Sequence, residues 1–166
     1  MIKLIIDKLA RITKNKKKLE KELKVKISNR GKEIYIEGDA EDEYLAEKVM
    51  IALDFGFPFS DALRITKDND FEIVNIKDYT HRKNLEKVRG RIIGTKGKTL
   101  STLCKLTGCC FEMKDNNVGI IGPPECMKLA QEAIVSLAQG AKHGNVYKGI
   151  EKNLPQEETD LGLKEN

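Results

Sequence analysis

Arg91-Ile92-Ile93-Gly94-Thr95-Lys96-Gly97-Lys98 is the stretch on which the reading of this chain turns. Two glycines stand three apart, apolar residues precede them, and lysines sit inside and after the pair. Upstream, Leu85, Val88 and Ile92 fall on one face of a helix, and downstream Leu100, Leu103 and Leu106 do the same until Gly108 offers a C-cap. The octet is therefore a loop between two helices. Glycines lack Cβ, so a ligand backbone can approach the main chain closely. The second helix begins at the loop, and its unpaired N–H groups and dipole favour a phosphate there. Lys96 and Lys98 add charge at the same place, and Ile92 and Ile93 are positioned to pack against unstacked bases.

Working outward, the elements around the loop occur twice. In the second copy, Phe71 to Val74 alternates as a strand before the two helices. Cys109 to Met113 and Val118 to Ile121 read as strands around an Asp115-Asn116-Asn117 turn. A last helix starts at Pro123 and Pro124 and turns Met127, Ala130, Ile134 and Leu137 inward. In the first copy, Ile2 to Ile6 is a short apolar run, and Leu9 to Ile12 leads into a polar loop, Thr13-Lys14-Asn15-Lys16. A helix with Leu19 and Leu23 on one face follows. Val25 to Ile27 and Ile34 to Ile36 form a hairpin around Asn29 to Lys32, and Leu45, Val49 and Leu53 mark a closing helix. Ile34 to Gly38 and Leu45-Ala46 recur as Val118 to Gly122 and Leu129-Ala130 at a constant offset of 84.

A duplicated β-α-loop-α-β-β-α order predicts an α+β protein of two type I KH domains in tandem, each a three-stranded antiparallel sheet with three helices on one face. The expected boundaries are 1–54 for the first domain, 55–69 for a joint, 70–150 for the second domain and 151–166 for an acidic disordered tail. Phe55, Phe57 and Phe59 make the joint a packed segment, with a helical turn over Ser60 to Ile65. In a KH domain the glycine loop clamps the backbone of single-stranded RNA while a groove reads about four nucleotides. The expected RNA-binding residues are Arg89, Arg91, Ile92, Ile93, Gly94, Thr95, Lys96, Gly97 and Lys98. The first copy has no glycine in its loop, so it is expected to serve as a structural or protein-binding domain, with Asn15 to Lys18 offering only diffuse attraction to phosphates.

Charge distribution agrees with local anion-binding surfaces. Residues 1–30 carry 11 Lys/Arg against 3 acids, residues 33–72 carry 12 acids against 3 bases, and residues 82–105 carry 8 bases against Glu86 alone. Met1 to Ile6 is too short and too charged for a signal peptide or membrane span, which points to the cytoplasm. Cys104, Cys109, Cys110 and Cys126 lack zinc-ribbon spacing, and His81 and His143 complete no finger pattern. The cysteines are expected to act as small apolar residues, and no metal or cofactor is expected. The acids cluster from Asp39 to Glu43 at a helix start, where they complement the dipole and do not build a nuclease centre, so no enzymatic activity is expected. Other RNA-processing roles, and a protein-interaction scaffold with incidental RNA affinity, are the competing readings. An exosome-type RNA-capturing subunit would need a further barrel domain for which the chain has no room.

The chain resembles the archaeal Partner of Nob, or Dim, family of KH proteins in small-ribosomal-subunit assembly. The resemblance runs to about residue 150. It rests on the degenerate first copy, the joint Gly56 to Leu63, the run Arg89 to Thr99, Val118 to Gly122, and Asn145-Val146-Tyr147. It implies binding near the 3′ end of small-subunit rRNA, and partnership with the Nob endonuclease that trims that end. It also implies binding to the α subunit of translation initiation factor two. The chain departs from the family pattern by starting directly at its first strand and by a short, lysine-rich first domain.

Overall fold

The computed structural model describes residues 1–155 of the 166-residue chain. Two units of the same element order follow one another. The first runs β1 (Ile2–Ile5), α1 (Leu9–Thr13), α2 (Lys16–Leu23), β2 (Lys26–Arg30), β3 (Glu33–Glu37) and α3 (Ala40–Phe55). A short helix, α4 (Phe59–Leu63), and a 3₁₀ turn over Arg64–Lys67 lead to the second unit. There the order is β4 (Asp70–Asn75), α5 (Leu85–Ile93), α6 (Lys98–Thr107), β5 (Cys110–Lys114), β6 (Asn117–Gly122), α7 (Pro124–Ala138) and an additional α8 (His143–Asn153).

Both sheets are three-stranded and antiparallel, ordered β1-β3-β2 and β4-β6-β5, so the last strand of each unit lies in the middle. Local chemistry explains several element ends. The Asn84 side chain accepts the Lys87 N–H at the start of α5. Gly108, left-handed at φ 69°, caps α6 as its position predicts. Pro124 opens α7, where a missing N–H costs nothing.

Leu19, Leu23, Ile34, Ile36, Val49 and Leu53 are buried in the first core, and Val88, Ile92, Leu103, Met127, Ile134 and Leu137 in the second. The first core does not stop at its own unit. Phe55 and Phe57, stacked with ring centroids 5.9 Å apart, meet the edge of Phe71 from β4, and Ile121 of β6 joins the same cluster. Gly119 makes this approach possible, because a Cβ there would lie 2.8 Å from Phe57 and 2.9 Å from Phe55. Strand β6 is thus buried on both faces, with Val118 and Ile120 in one core and Gly119 and Ile121 against the other. That is why it reads as a continuous apolar run and not as an alternating one. The joint is packed as expected, and Arg64 fastens it by donating to the Cys110 Sγ at 2.8 Å and the Gly108 carbonyl at 3.0 Å.

Two details differ from the sequence expectation. Helix α8 was not expected, and it carries regular structure through Asn153, into the stretch read as the start of a tail. The remainder of that tail, from residue 156 onward, lies outside the described residues. The four thiols are free. Cys109 is buried, whereas Cys104, Cys110 and Cys126 are half-buried. Burial pushes the Cys109 and Cys110 thiols up to about 11.

Candidate nucleic-acid interface

Helix α5 is held by Val88 and Ile92, both buried in the second core, so its C-terminal end is fixed where the loop begins. The Gly94 N–H closes α5 onto the Gly90 carbonyl at 2.8 Å, and the chain then leaves the helix at φ 78°, ψ 170°. That region is essentially closed to side-chain-bearing residues. Space forbids one as well, since a Cβ on Gly94 would lie 2.2 Å from Thr99 Oγ1 and 2.6 Å from the Thr99 backbone nitrogen. Lys96 (φ 54°) and Gly97 (φ 73°) are both left-handed, and the Gly97 N–H returns to the Gly94 carbonyl at 3.1 Å. The result is a tight knuckle ahead of α6. The Lys98 N–H returns to the Thr95 carbonyl, and among the described residues no side chain caps the N-terminus of α6, whose dipole favours an anion there.

The nine expected residues divide into two groups. Thr95, Lys96 and Lys98 are exposed, and Ile93, Gly94 and Gly97 are half-buried at the loop. Among the described residues, neither lysine enters an ion pair. The remaining three support the loop from behind. Ile92 is fully buried in the core and so is not presented to a base. Arg91 spends its guanidinium on two carbonyls, Leu137 at 2.8 Å and Ala141 at 2.6 Å, tying α5 to the turn between α7 and α8. Arg89 donates to Asn116 Oδ1 at 2.5 Å, tying α5 to the β5–β6 turn. His143 donates from Nε2 to the Arg91 carbonyl at 2.8 Å, which locks the start of α8 against α5. Sequence reasoning did not pair Arg91 with His143, because 52 residues separate them. Thr99, 5% exposed, was visible only as the residue after Lys98.

The first unit's corresponding loop has different geometry. Lys14 is right-handed and Asn15 sits at φ −111°, so the connection between α1 and α2 has no left-handed residue. Asn15 turns its amide back onto the Arg11 carbonyl at 3.1 Å, while Arg11 donates to the Phe57 carbonyl at 2.6 Å. Lys18 lies 4.9 Å over the Phe59 ring. Part of this basic island is engaged with the joint and is not free to bind phosphate.

Comparison with known proteins agrees with this geometry. Residues 70–154 match the family model for the second KH domain of PNO1, described as a eukaryotic-type KH domain of type I. The chain is 32% identical over 145 residues to a KH domain-containing protein of Methanocaldococcus jannaschii, covering 82% of this chain and 64% of that protein. It is 31% identical over 111 residues to the pre-rRNA-processing protein pno1 of Aspergillus oryzae, covering 64% of this chain and 43% of the relative. The chain therefore spans less than two thirds of the length of these relatives. Among solved structures, Dim2p of Pyrococcus horikoshii superposes with a TM-score of 0.84 at 30% identity, covering 92% of this chain and 98% of that one. The same protein in an a/eIF2α–aDim2p–rRNA complex superposes with a TM-score of 0.81 at 31% identity, covering 91% and 92%. With its second unit matched throughout by that model and its described length shared with archaeal Dim2p, this chain belongs to the PNO1/Dim2 family of KH-domain proteins.

Proposed function

We propose that this chain is a non-catalytic binding protein of small-subunit rRNA processing, acting in the cytoplasm, that grips single-stranded RNA near the 3′ end of that rRNA. The observation that carries the reading is the Gly94–Gly97 knuckle, where Thr95, Lys96 and Lys98 are exposed and neither lysine enters an ion pair among the described residues, over the start of α6. Gly94, Thr95, Lys96, Gly97 and Lys98 hold a phosphate there, and Ile93 meets the base beside it. Arg89, Arg91 and Ile92 hold the loop in place. Residues 1–54 and 70–150 act as two type I KH domains with three helices on one face of each sheet. Residues 55–69 join them, and only the second domain clamps RNA. The rRNA and the initiation-factor α subunit found with the Pyrococcus protein support the same two partners here. A Nob-type endonuclease is a third partner, on the resemblance of the sequence to that family.

The test is a titration of fluorescent RNA from the 3′ end of small-subunit rRNA, beside a scrambled RNA. The proteins are the wild type and a Thr95→Asp, Lys96→Asp double variant. Asp tolerates the left-handed conformation that Lys96 adopts, so the variant keeps its fold. Wild type should prefer the rRNA sequence, and the variant should bind about tenfold or more weakly, a loss of ~1.4 kcal/mol or more. Equal binding of both RNAs by both proteins, with only a steep salt dependence, would refute the loop as the reader and favour a scaffold role.

A further inference from the structure

Four strands stand at sheet edges, β1 and β2 in the first unit and β4 and β5 in the second. A lysine on an edge strand discourages pairing with another chain, and Lys3, Lys26 and Lys114 stand on β1, β2 and β5. Strand β4 is the exception. Its six residues, Asp70 to Asn75, include no lysine, arginine or proline, and they pair one-to-one with β6 without a bulge. Among the described residues its other edge pairs with no strand.

A groove of about 750 Å³ runs along that free edge. Four consecutive β4 residues, Glu72 to Asn75, line it. Alternate strand residues point to opposite faces of a sheet, so a groove that touches all four follows the edge of the strand and not one face. Its far wall is α7, which presents Gln131 and Val135, four apart on one helix face. Ile73 and Tyr79, 46% and 43% exposed, are two of the five large apolar side chains left exposed among the described residues, and both line this groove. Glu72, Asp78 and Glu132 bring three carboxylates to it against Lys128 alone.

We infer that this groove takes an extended, basic segment of another protein, which adds to β4 as a fourth strand of the second sheet. Apolar side chains of that segment meet Ile73 and Tyr79, and its lysines or arginines stand beside Glu72, Asp78 and Glu132. A free strand edge supplies main-chain hydrogen bonds to an added strand, and the surfaces beside it select the alternate side chains. The carboxylates decide the class of occupant. They oppose the phosphates of a nucleic acid. Two β4 edges joined to each other would gather four carboxylates, Asp70 and Glu72 from each copy, on one ladder. The inference does not rest on the RNA-binding reading of the loop, with which the groove shares no residue.

The probe is a fluorescent peptide of about eight residues, long enough to span β4, in which lysine and valine alternate as Glu72 and Ile73 do. It is titrated against the full chain beside two controls, the same peptide N-methylated along its backbone and a peptide with glutamate in place of lysine. Wild type should bind the lysine peptide about tenfold or more tightly than either control. Saturation should slow amide exchange within Glu72–Asn75 and leave α5 unchanged. The exposed pair Glu72→Lys, Glu132→Lys should reverse the preference toward the glutamate peptide, and Glu72→Gln, Glu132→Gln should remove part of the lysine preference, both at the wild-type urea midpoint. Equal binding of the N-methylated peptide, or binding that leaves β4 exchange unchanged, would overturn strand addition. A lysine preference that survives the charge reversal, or no binding of the lysine peptide up to about 1 mM, would overturn the groove as its site. Concentration-dependent self-association that protects β4 without peptide would assign the edge to a second copy, and protection by RNA alone would assign it to RNA; either result overturns the proposal.

Discussion

The two glycines of the loop are alike in sequence and unlike in structure, and alanine at each should separate them. Gly94 sits at φ 78°, ψ 170°, where a side-chain-bearing residue carries a backbone penalty of ~1–3 kcal/mol. The added Cβ would also overlap Thr99, at 2.2 Å from Oγ1 and 2.6 Å from the backbone nitrogen. The second overlap is with main chain in the first turn of α6, so relief requires the helix start to move. Together these put Gly94→Ala at about 3 kcal/mol or more. Gly97 is left-handed at φ 73° with nothing within 4 Å of a built Cβ, so Gly97→Ala should cost only the left-handed penalty, ~1–2 kcal/mol. Urea denaturation of the whole chain measures both as midpoint shifts at constant m-value. For a chain of this size, ~3 kcal/mol corresponds to a fall in Tm of roughly 6–12 °C. Adding Thr99→Ala to Gly94→Ala should restore little, because the backbone overlap remains. Equal stabilities for the two alanine variants, or full rescue by Thr99→Ala, would refute the account of Gly94 as the residue that seats α6 against α5.

Phe57→Ala should destabilise by ~3–5 kcal/mol, because the ring is fully buried between Phe55, Phe71 and Gly119; uncoupling of the units would appear as separate denaturation steps for probes in each. Arg91→Lys should release α8, since one ammonium cannot serve both the Leu137 and Ala141 carbonyls; amide exchange across His143–Asn153 should quicken while exchange in β6 stays slow. Cys109, 2% exposed with its thiol raised to about 11, should resist thiol reagents in the native state near pH 8 and react once urea unfolds the chain. Between about pH 9 and 11 the unfolded thiol ionises and the folded one keeps its proton, so stability should fall as pH rises through that window; a denaturation midpoint that stays flat across it would contradict the assignment.

Sequence alone was sufficient to set out the repeated element order, the loop between two helices and the packed joint. Those features are written in local periods: Leu85, Val88 and Ile92 repeat as a helix whatever surrounds them, and the Gly94–Gly97 spacing needs no distant partner to be recognised. Helix α8 was not legible. Gly144 and Gly149 weaken its propensity, and only Val146 and Ile150, four apart, reveal a face to the core. Which basic residues the fold engages was equally hidden. Arg89 and Arg91 flank the loop and look like phosphate contacts, yet their guanidinium groups are committed to Asn116, Leu137 and Ala141, 27 to 50 residues away. Ile92 carries the helix period that revealed α5, and the same period buries it in the core, away from the loop's exposed side.

The sequence by itself determined that the chain would build two similar α+β units and where the glycine loop would stand, because periodicity and turn chemistry act over a few residues. Only the tertiary structure decided that β6 would be buried on both faces, and that Arg89 and Arg91 would find partners while, among the described residues, Lys96 and Lys98 would enter no ion pair. Those outcomes depend on which side chains arrive from distant segments to claim each donor and fill each gap, and no local pattern contains that information.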